Sequence, residues 1–392
     1  MRIYITGYGV ISSIGLNSEE NFESLKKLKS GISICENSIF NEYKVGKIHK
    51  TNEELSSMFK LSTEGSRTSI LGMIASKEAF QGHVLTPEIR TGLISGTSVG
   101  GMDISEKAYA EFKNGNLNID DFKHHASGTT TEEIANELGL ENCFLNTIST
   151  ACSSAANAIM QGARMIQNNM LDRVIVGGTD SLTNFTFKGF RSLMIFDEEW
   201  CKPFDENRNG LNLGEGAGYL VIESERSLKI TKKEPLAILS GWNNSSDAYH
   251  QTASSPEGTG AILSMTKALK MAKLDPSEID YVNAHGTSTP NNDVSESTAF
   301  LKVFEGKVPA FSSTKGYTGH TLAASGGIEA VFAIFALRKS VLLPNLNFST
   351  PIIETGLIPQ TTFEENQKVK HVLSNSFGFG GNNSTLIISS IN

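Results

Sequence analysis

Four short segments carry residue types that can do chemistry. The first is Asn146-Thr-Ile-Ser-Thr-Ala-Cys152-Ser-Ser-Ala-Ala-Asn157, which sets a Cys between a β-branched run and a helix of small residues. Unpaired N–H groups and the dipole at a helix N-terminus favour a thiolate, the nucleophilic form, and the same N–H groups can stabilise an oxyanion. The small neighbours of Cys152 leave room for a substrate. The competing reading is a buried, inert Cys. Cys35, Cys143 and Cys201 lack a strand-to-helix setting and read as bystanders.

The second segment is Asn283-Ala-His285-Gly-Thr287-Ser-Thr289-Pro290. Here a His ends a short strand, where sites form in open α/β sheets. Thr287 and Thr289 suit a polar ligand, or equally the cap of the next helix. The third runs from Lys315 through His320 to Glu329 as a strand end, a Gly-punctuated loop and a helix. Glu329 lies in an otherwise apolar stretch, and a buried carboxylate needs a partner, for which Lys315 is the obvious choice. The fourth is Ser376-Phe-Gly-Phe379-Gly-Gly-Asn382-Asn383, whose glycines allow left-handed backbone and close approach to a ligand. Its two Phe suit the wall and gate of an apolar channel. It lacks the Lys-Ser/Thr of a phosphate-binding loop. Gly7-x-Gly9-x-x-Ser12 is not a dinucleotide fingerprint, and no Cys-x-x-Cys or His spacing suggests a metal site.

The elements that must position these groups alternate. Strands are expected at Arg2–Thr6, Thr91–Ser95, Asp172–Gly177, Ala237–Ser240 and Tyr281–Asn283. Helices are expected at Ser69–Phe80, Ser153–Gln167, Ala261–Ala272 and Gly327–Leu337. Alternation of this kind predicts an α/β fold with parallel sheets covered on both faces. Gly210–Ser224 and Asn375–Ser389 are both Gly-rich turns running into strands, and each half opens with a strand ending in Gly (Gly7, Gly241). This predicts a duplicated unit, 1–232 carrying the Cys and 233–392 carrying the His/Lys/His set, with the seam near Lys232–Glu234.

Composition narrows the class. The chain has 392 residues, a formal net charge of −8, 19% charged residues and 4 Cys. A net acidic chain without a Lys/Arg block is a poor candidate for nucleic acid. Four Cys in this length do not make a disulfide framework. No window approaches the roughly 18 uninterrupted apolar residues of a membrane span. The opening MRIYITGYGVISSIG reads as a strand and turn, not a signal peptide. The expected compartment is the reducing cytoplasm.

Taken in order, Cys152, His285, Lys315, His320 and the Asn375-Ser-Phe-Gly-Phe-Gly-Gly loop resemble the elongating (type II) β-ketoacyl-acyl carrier protein synthases of the thiolase-like superfamily. The resemblance spans the chain from its first strand to its last. It implies a five-layered αβαβα fold of two duplicated halves and, normally, a dimer. It implies an acyltransferase that condenses an acyl group held on Cys152 with malonyl-acyl carrier protein, losing CO₂. His285 and His320 would stabilise the enolate, Lys315 would set the local field with Glu329 in support, and the N–H groups of Cys152 and Phe379 would form the oxyanion hole. Phe379 would gate the acyl pocket, and Thr287 and Thr289 would bond the phosphopantetheine arm. No bound cofactor is implied. The partners implied are the acyl carrier protein and a second copy or a chain-length-factor-like subunit.

The chain departs from the family pattern in a tightened segment between Phe190 and Pro203, in Asn382-Asn383 for the usual Thr-Asn, and in Met194 where an Arg often meets the carrier. Its wording is closer to synthases of aryl-polyene and flexirubin-type pigment pathways than to housekeeping fatty acid enzymes. Lys60, Arg67 and Arg191 are the candidate carrier-docking cations; ordinary solvated surface is the competing reading. A non-catalytic chain-length-factor-like partner and a biosynthetic thiolase are the alternatives. The retained Cys weighs against the first, and the Phe379 loop without a second Cys against the other.

Overall fold

The computed structural model describes residues 2–35, 40, 43–116 and 118–391, the Asp121 side chain excepted. The β-branched runs become strands β1 Ile3–Ser12, β2 Ile32–Ile34, β3 Lys44–Gly46, β4 Thr91–Gly96, β5 Phe144–Ile148 and β6 Arg173–Asp180. They continue as β7 Gly216–Glu223, β8 Ala237–Ser246, β9 Tyr281–Asn283, β10 Ala310–Ser312, β11 His371–Gly378 and β12 Asn382–Ser389. β2 and β3 pair with each other in a two-stranded sheet, and the rest form one ten-stranded sheet in the order β10-β9-β11-β12-β8-β1-β7-β6-β4-β5.

That order is a palindrome about the β1–β8 contact, where Ile3, Tyr4 and Ile5 face Leu239, Ile238 and Ala237. Moving outward, β7, β6, β4 and β5 on one side match β12, β11, β9 and β10 on the other. Directions match as well: β4 lies parallel to β5 and β6 as β9 does to β10 and β11, while β6–β7 and β11–β12 are antiparallel. The expected parallel sheet is therefore mixed in each half. The turn between β11 and β12, with Gly380 and Gly381 at φ 83° and 77°, is short enough to join only antiparallel neighbours.

Helices occupy three layers around the two half-sheets. Arg67–Phe80 packs on the outer face of β1, β7 and β6, and Thr259–Ala272 on that of β8 and β12. Between the half-sheets lie Ser154–Gln167 and Ser325–Lys339, which touch each other and strands of both halves, completing the αβαβα stack. From Ser325 to Leu337 every residue is buried, as expected of a helix apolar on all sides. Glu329 is the one charged group in that stretch, and so has to meet its partner inside the protein.

Gly7 and Gly241 do not end their strands, contrary to the pattern reading. Each sits mid-strand beside a register shift. A Cβ on Gly7 would lie 2.0 Å from the Ala79 carbonyl oxygen, and one on Gly241 2.4 Å from that of Ala268. The glycines mark where each outer helix rests directly on its half-sheet, in matching positions. Among the described residues no helix is long and apolar enough to cross a membrane.

Candidate active site

Cys152 follows β5 after a sharp turn in which Ala151 takes φ 51°. A non-Gly residue there costs about 1–3 kcal/mol and persists only when neighbours over-determine it. They do: Ser154 Oγ donates to the Ala151 carbonyl at 2.6 Å and accepts from the Thr150 N–H at 2.8 Å, and Ser153 Oγ donates to the Thr150 carbonyl at 2.7 Å. The turn delivers the sulfur to the end of helix Ser154–Gln167, 3.1 Å from His320 Nε2. The N–H groups of Cys152 and Phe379 favour the charged form of the sulfur.

The helix end does not leave Cys152 as a resting thiolate. Burial pushes the thiol up to about 12, against the opposing pull of the Lys315 charge. A thiol in that state needs a base beside it to become a nucleophile, and His320 is in place. Burial, followed by the Lys315 charge, holds both His285 and His320 well below the ordinary imidazole range. Both rings are therefore neutral, and they meet edge-to-face with centroids 5.4 Å apart.

Lys315 stands behind His285. Its Nζ donates to the His285 carbonyl at 2.5 Å and to Glu329 Oε1 at 2.5 Å, and lies 3.4 Å from His285 Nδ1. An ammonium only donates, so Nδ1 of His285 accepts and its proton resides on Nε2. The predicted Lys315–Glu329 pair thus forms, and it ties the central helix to both His segments. Burial raises the Glu329 carboxyl to about 7 despite Lys315.

Two further carboxylates, which the residue patterns did not single out, hold the loops. Glu296 accepts from the N–H groups of His285 and Gly286 at 2.9 and 2.8 Å, and from Asn375 Nδ2 at 3.0 Å. Asp180, fully buried, accepts from Thr97, from the hydroxyl and N–H of Ser98, and from the Ala323 N–H at 2.9 Å, just after His320. A usable signal existed for Asp180, an acid inside an otherwise uncharged run, as for Glu329; Glu296 shares its helix with Asp293 and Lys302 and carries no such signal.

Cys152, His285 and His320 open into a cavity of about 310 Å³. Its lining combines polar residues (Thr252, Ser254, Thr287, Thr289 and Asn291) with apolar ones (Phe190, Met194, Ile195, Leu211 and Phe379). Thr287 and Thr289 bond each other at 2.8 Å. Thr289 makes no side-chain cap on the following helix. Phe379 stacks on Phe190 with centroids 5.7 Å apart and planes 20° apart.

The three surface cations separate. Arg67 is corrected: its five N–H groups go to Glu215 (2.8 and 2.6 Å), Lys50 O, Asn52 Oδ1 and Ile48 O, so it clamps the interior and has no donor left for a carrier. Lys60 is exposed but does not line the cavity. Arg191 is exposed beside the lining residue Phe190, its guanidinium 5.7 Å from the Tyr43 ring. Met194, at the mouth, is 88% exposed.

Comparison with known proteins places this geometry. Residues 1–227 match the family model of the beta-ketoacyl synthase N-terminal domain, and residues 236–349 that of its C-terminal domain. The chain belongs to the β-ketoacyl synthase family. A curated relative, 3-oxoacyl-[acyl-carrier-protein] synthase 2 of Staphylococcus aureus (strain MRSA252), is 33% identical over 405 residues, covering 99% of this chain and 98% of the relative. The mitochondrial 3-oxoacyl-[acyl-carrier-protein] synthase of Arabidopsis thaliana is 41% identical over 256 residues, 62% of this chain and 55% of that one. Among solved structures, the ishigamide ketosynthase/chain length factor superposes with a TM-score of 0.92 at 26% identity, covering 100% of this chain and 99% of the other. A Xenorhabdus doucetiae ketosynthase in complex with its chain length factor gives 0.82 at 29% identity, covering 99% and 98%. As a β-ketoacyl synthase the chain is an acyltransferase-type ketosynthase with the thiolase-like αβαβα fold.

Proposed function

We propose that this β-ketoacyl synthase elongates acyl chains by decarboxylating condensation, with Cys152 as the acyl carrier on the protein. The observation that carries this is the convergence of the Cys152 sulfur, two neutral His rings and two backbone N–H groups on one cavity. Thioester exchange is nearly isoenergetic, so a thiol suits reversible loading. His320 Nε2 takes the Cys152 proton as the sulfur attacks the acyl thioester, and the carrier leaves as its thiol. Malonyl thioester then enters and loses CO₂. That loss creates the carbanion without a strong base, so neutral imidazoles that donate hydrogen bonds are the right groups. His285, with its proton on Nε2, and His320 face the thioester oxygen. The enolate carbon attacks the acyl-Cys152 carbonyl, the N–H groups of Cys152 and Phe379 hold the oxyanion, and the Cys152 sulfur departs.

The same reading assigns Thr287 and Thr289 to the phosphopantetheine arm and Phe379 to the gate, since all three line the cavity that holds Cys152. The carrier would dock over the mouth beside Arg191. Both partners are acidic, so docking requires local basic groups and weakens with salt. We further propose that the enzyme works in the cytoplasm, and that β5 is its dimer edge. β5 ends the sheet and exposes Phe144 and Leu145, the kind of edge that seeks a second strand. The second strand belongs to another copy or to a chain-length-factor-like subunit, the assembly named for the two solved neighbours above.

Incubation with acyl-carrier protein and intact-mass analysis tests the assignment: one acyl group is expected, on Cys152. Condensation by Cys152→Ala at the wild-type rate would refute it. His285→Ala is expected to lose malonyl decarboxylation more than acyl loading. A panel of acyl chains read by mass spectrometry separates fatty acid from polyene or polyketide elongation.

A further inference from the structure

His285 and His320 are neutral and adjacent, yet their second nitrogens are held differently. His285 Nδ1 faces an ammonium, which fixes one tautomer. His320 Nδ1 lies 3.0 Å from Ser325 Oγ, and Ser325 Oγ lies 3.1 Å from Thr321 Oγ1. His320, Thr321 and Ser325 are all buried to 2% exposure. The loop between them is clamped. The His320 N–H donates to the Asn212 carbonyl at 2.7 Å, the Ala323 N–H to Asp180 at 2.9 Å, and Leu322 takes φ 53° to turn the chain back on itself. That turn starts helix Ser325–Lys339 with its first hydroxyl against the His320 ring.

A hydroxyl both donates and accepts. Ser325 can donate to a bare Nδ1 while accepting from Thr321, or accept from Nδ1–H while donating to Thr321. Either arrangement is satisfied without moving a heavy atom. We propose that Ser325 is a positioning residue that lets His320 hold both tautomers, so that one ring serves both halves of the condensation. This rests on the condensing function proposed above. During loading Nε2 is bare and Nδ1–H points at Ser325. The Cys152 proton moves to Nε2 as the S–C bond forms, and then to the sulfur of the departing carrier, leaving the ring neutral. During decarboxylation Nε2–H donates to the malonyl thioester oxygen and keeps its proton. Between the two, Nδ1 yields a proton to solvent and Nε2 takes one, so the ring's proton count is unchanged and the Ser325–Thr321 pair reverses.

The loading state depends more on Ser325, because without it a buried N–H donor is left unmatched. Such a group carries a penalty equivalent to roughly a 5- to 150-fold loss. In Ser325→Ala, acylation of Cys152 is expected to slow about 10- to 100-fold with the KM for acyl-carrier protein unchanged, while malonyl-carrier decarboxylation stays within about threefold. Ser325→Thr, which keeps the hydroxyl, restores loading. Long-range ¹⁵N NMR of histidine-labelled wild-type protein supplies an independent reading that requires no variant. His285 is expected to show a single Nε2–H tautomer and His320 averaged shifts of both. A single fixed tautomer for His320, or equal rates for Ser325→Ala and wild type in both half-reactions, overturns the proposal. Wild-type protein that neither loads nor decarboxylates would instead refute the condensing function itself.

Discussion

Glu296 offers a sharp test of how the His285 loop is held. It is fully buried and satisfies three donors: the N–H groups of His285 and Gly286, and Asn375 Nδ2. Burial outweighs those hydrogen bonds and raises the carboxyl from an ordinary 4.5 to about 7. A carboxyl raised in the folded state stabilises the fold fully below its unfolded value, and that contribution is lost as pH rises through the folded value. The interval corresponds to about 3 kcal/mol, at about 1.4 kcal/mol per pH unit. Glu296→Gln cannot titrate, and its NH₂ end opposes a backbone N–H. The substitution is expected to cost most near pH 4.5 and about 3 kcal/mol less above pH 7. Urea unfolding of wild type and variant across pH 5 to 8, at one protein concentration, reads this difference directly. A cost independent of pH would refute the buried, raised carboxyl. Intact decarboxylation in a folded variant would refute its role in placing His285.

The remaining predictions concern support and packing. Arg67→Met is expected to destabilise the fold by about 3–5 kcal/mol, because it leaves Glu215 buried without its counter-charge; in folded protein, carrier affinity measured by titration is unchanged, whereas Arg191→Ala weakens it at low salt. Gly7→Ala and Gly241→Ala are expected to lower stability by similar amounts, about 1–3 kcal/mol each, since both added methyls strike a helix carbonyl. Thermal melts that separated the two widely would argue against equivalent packing in the two halves.

Much of this protein was legible in order along the chain. Cys152 before a small-residue helix, His285 at a strand end, and Lys315 and His320 around two glycines are local patterns, and local patterns are set by backbone geometry and capping that neighbouring residues specify. The lone acid of an apolar helix likewise pointed Glu329 to Lys315, because a buried charge has few ways to be satisfied. The paired Gly-rich strands predicted a duplication that the palindromic sheet displays.

Only the tertiary structure decided the rest, and for one physical reason: burial depends on what packs from elsewhere in the chain. A helix N-terminus alone favours a thiolate at Cys152, yet enclosure by both halves outweighs it and leaves a thiol beside a neutral His320. Arg67 and Arg191 look alike as letters, but one is consumed by five internal acceptors and the other lies beside the cavity mouth. Asp180 meets the Ala323 N–H only when the two halves close on each other, and Glu296 and Ser325 meet their backbone N–H groups and ring nitrogen only once the loops of the second half have folded.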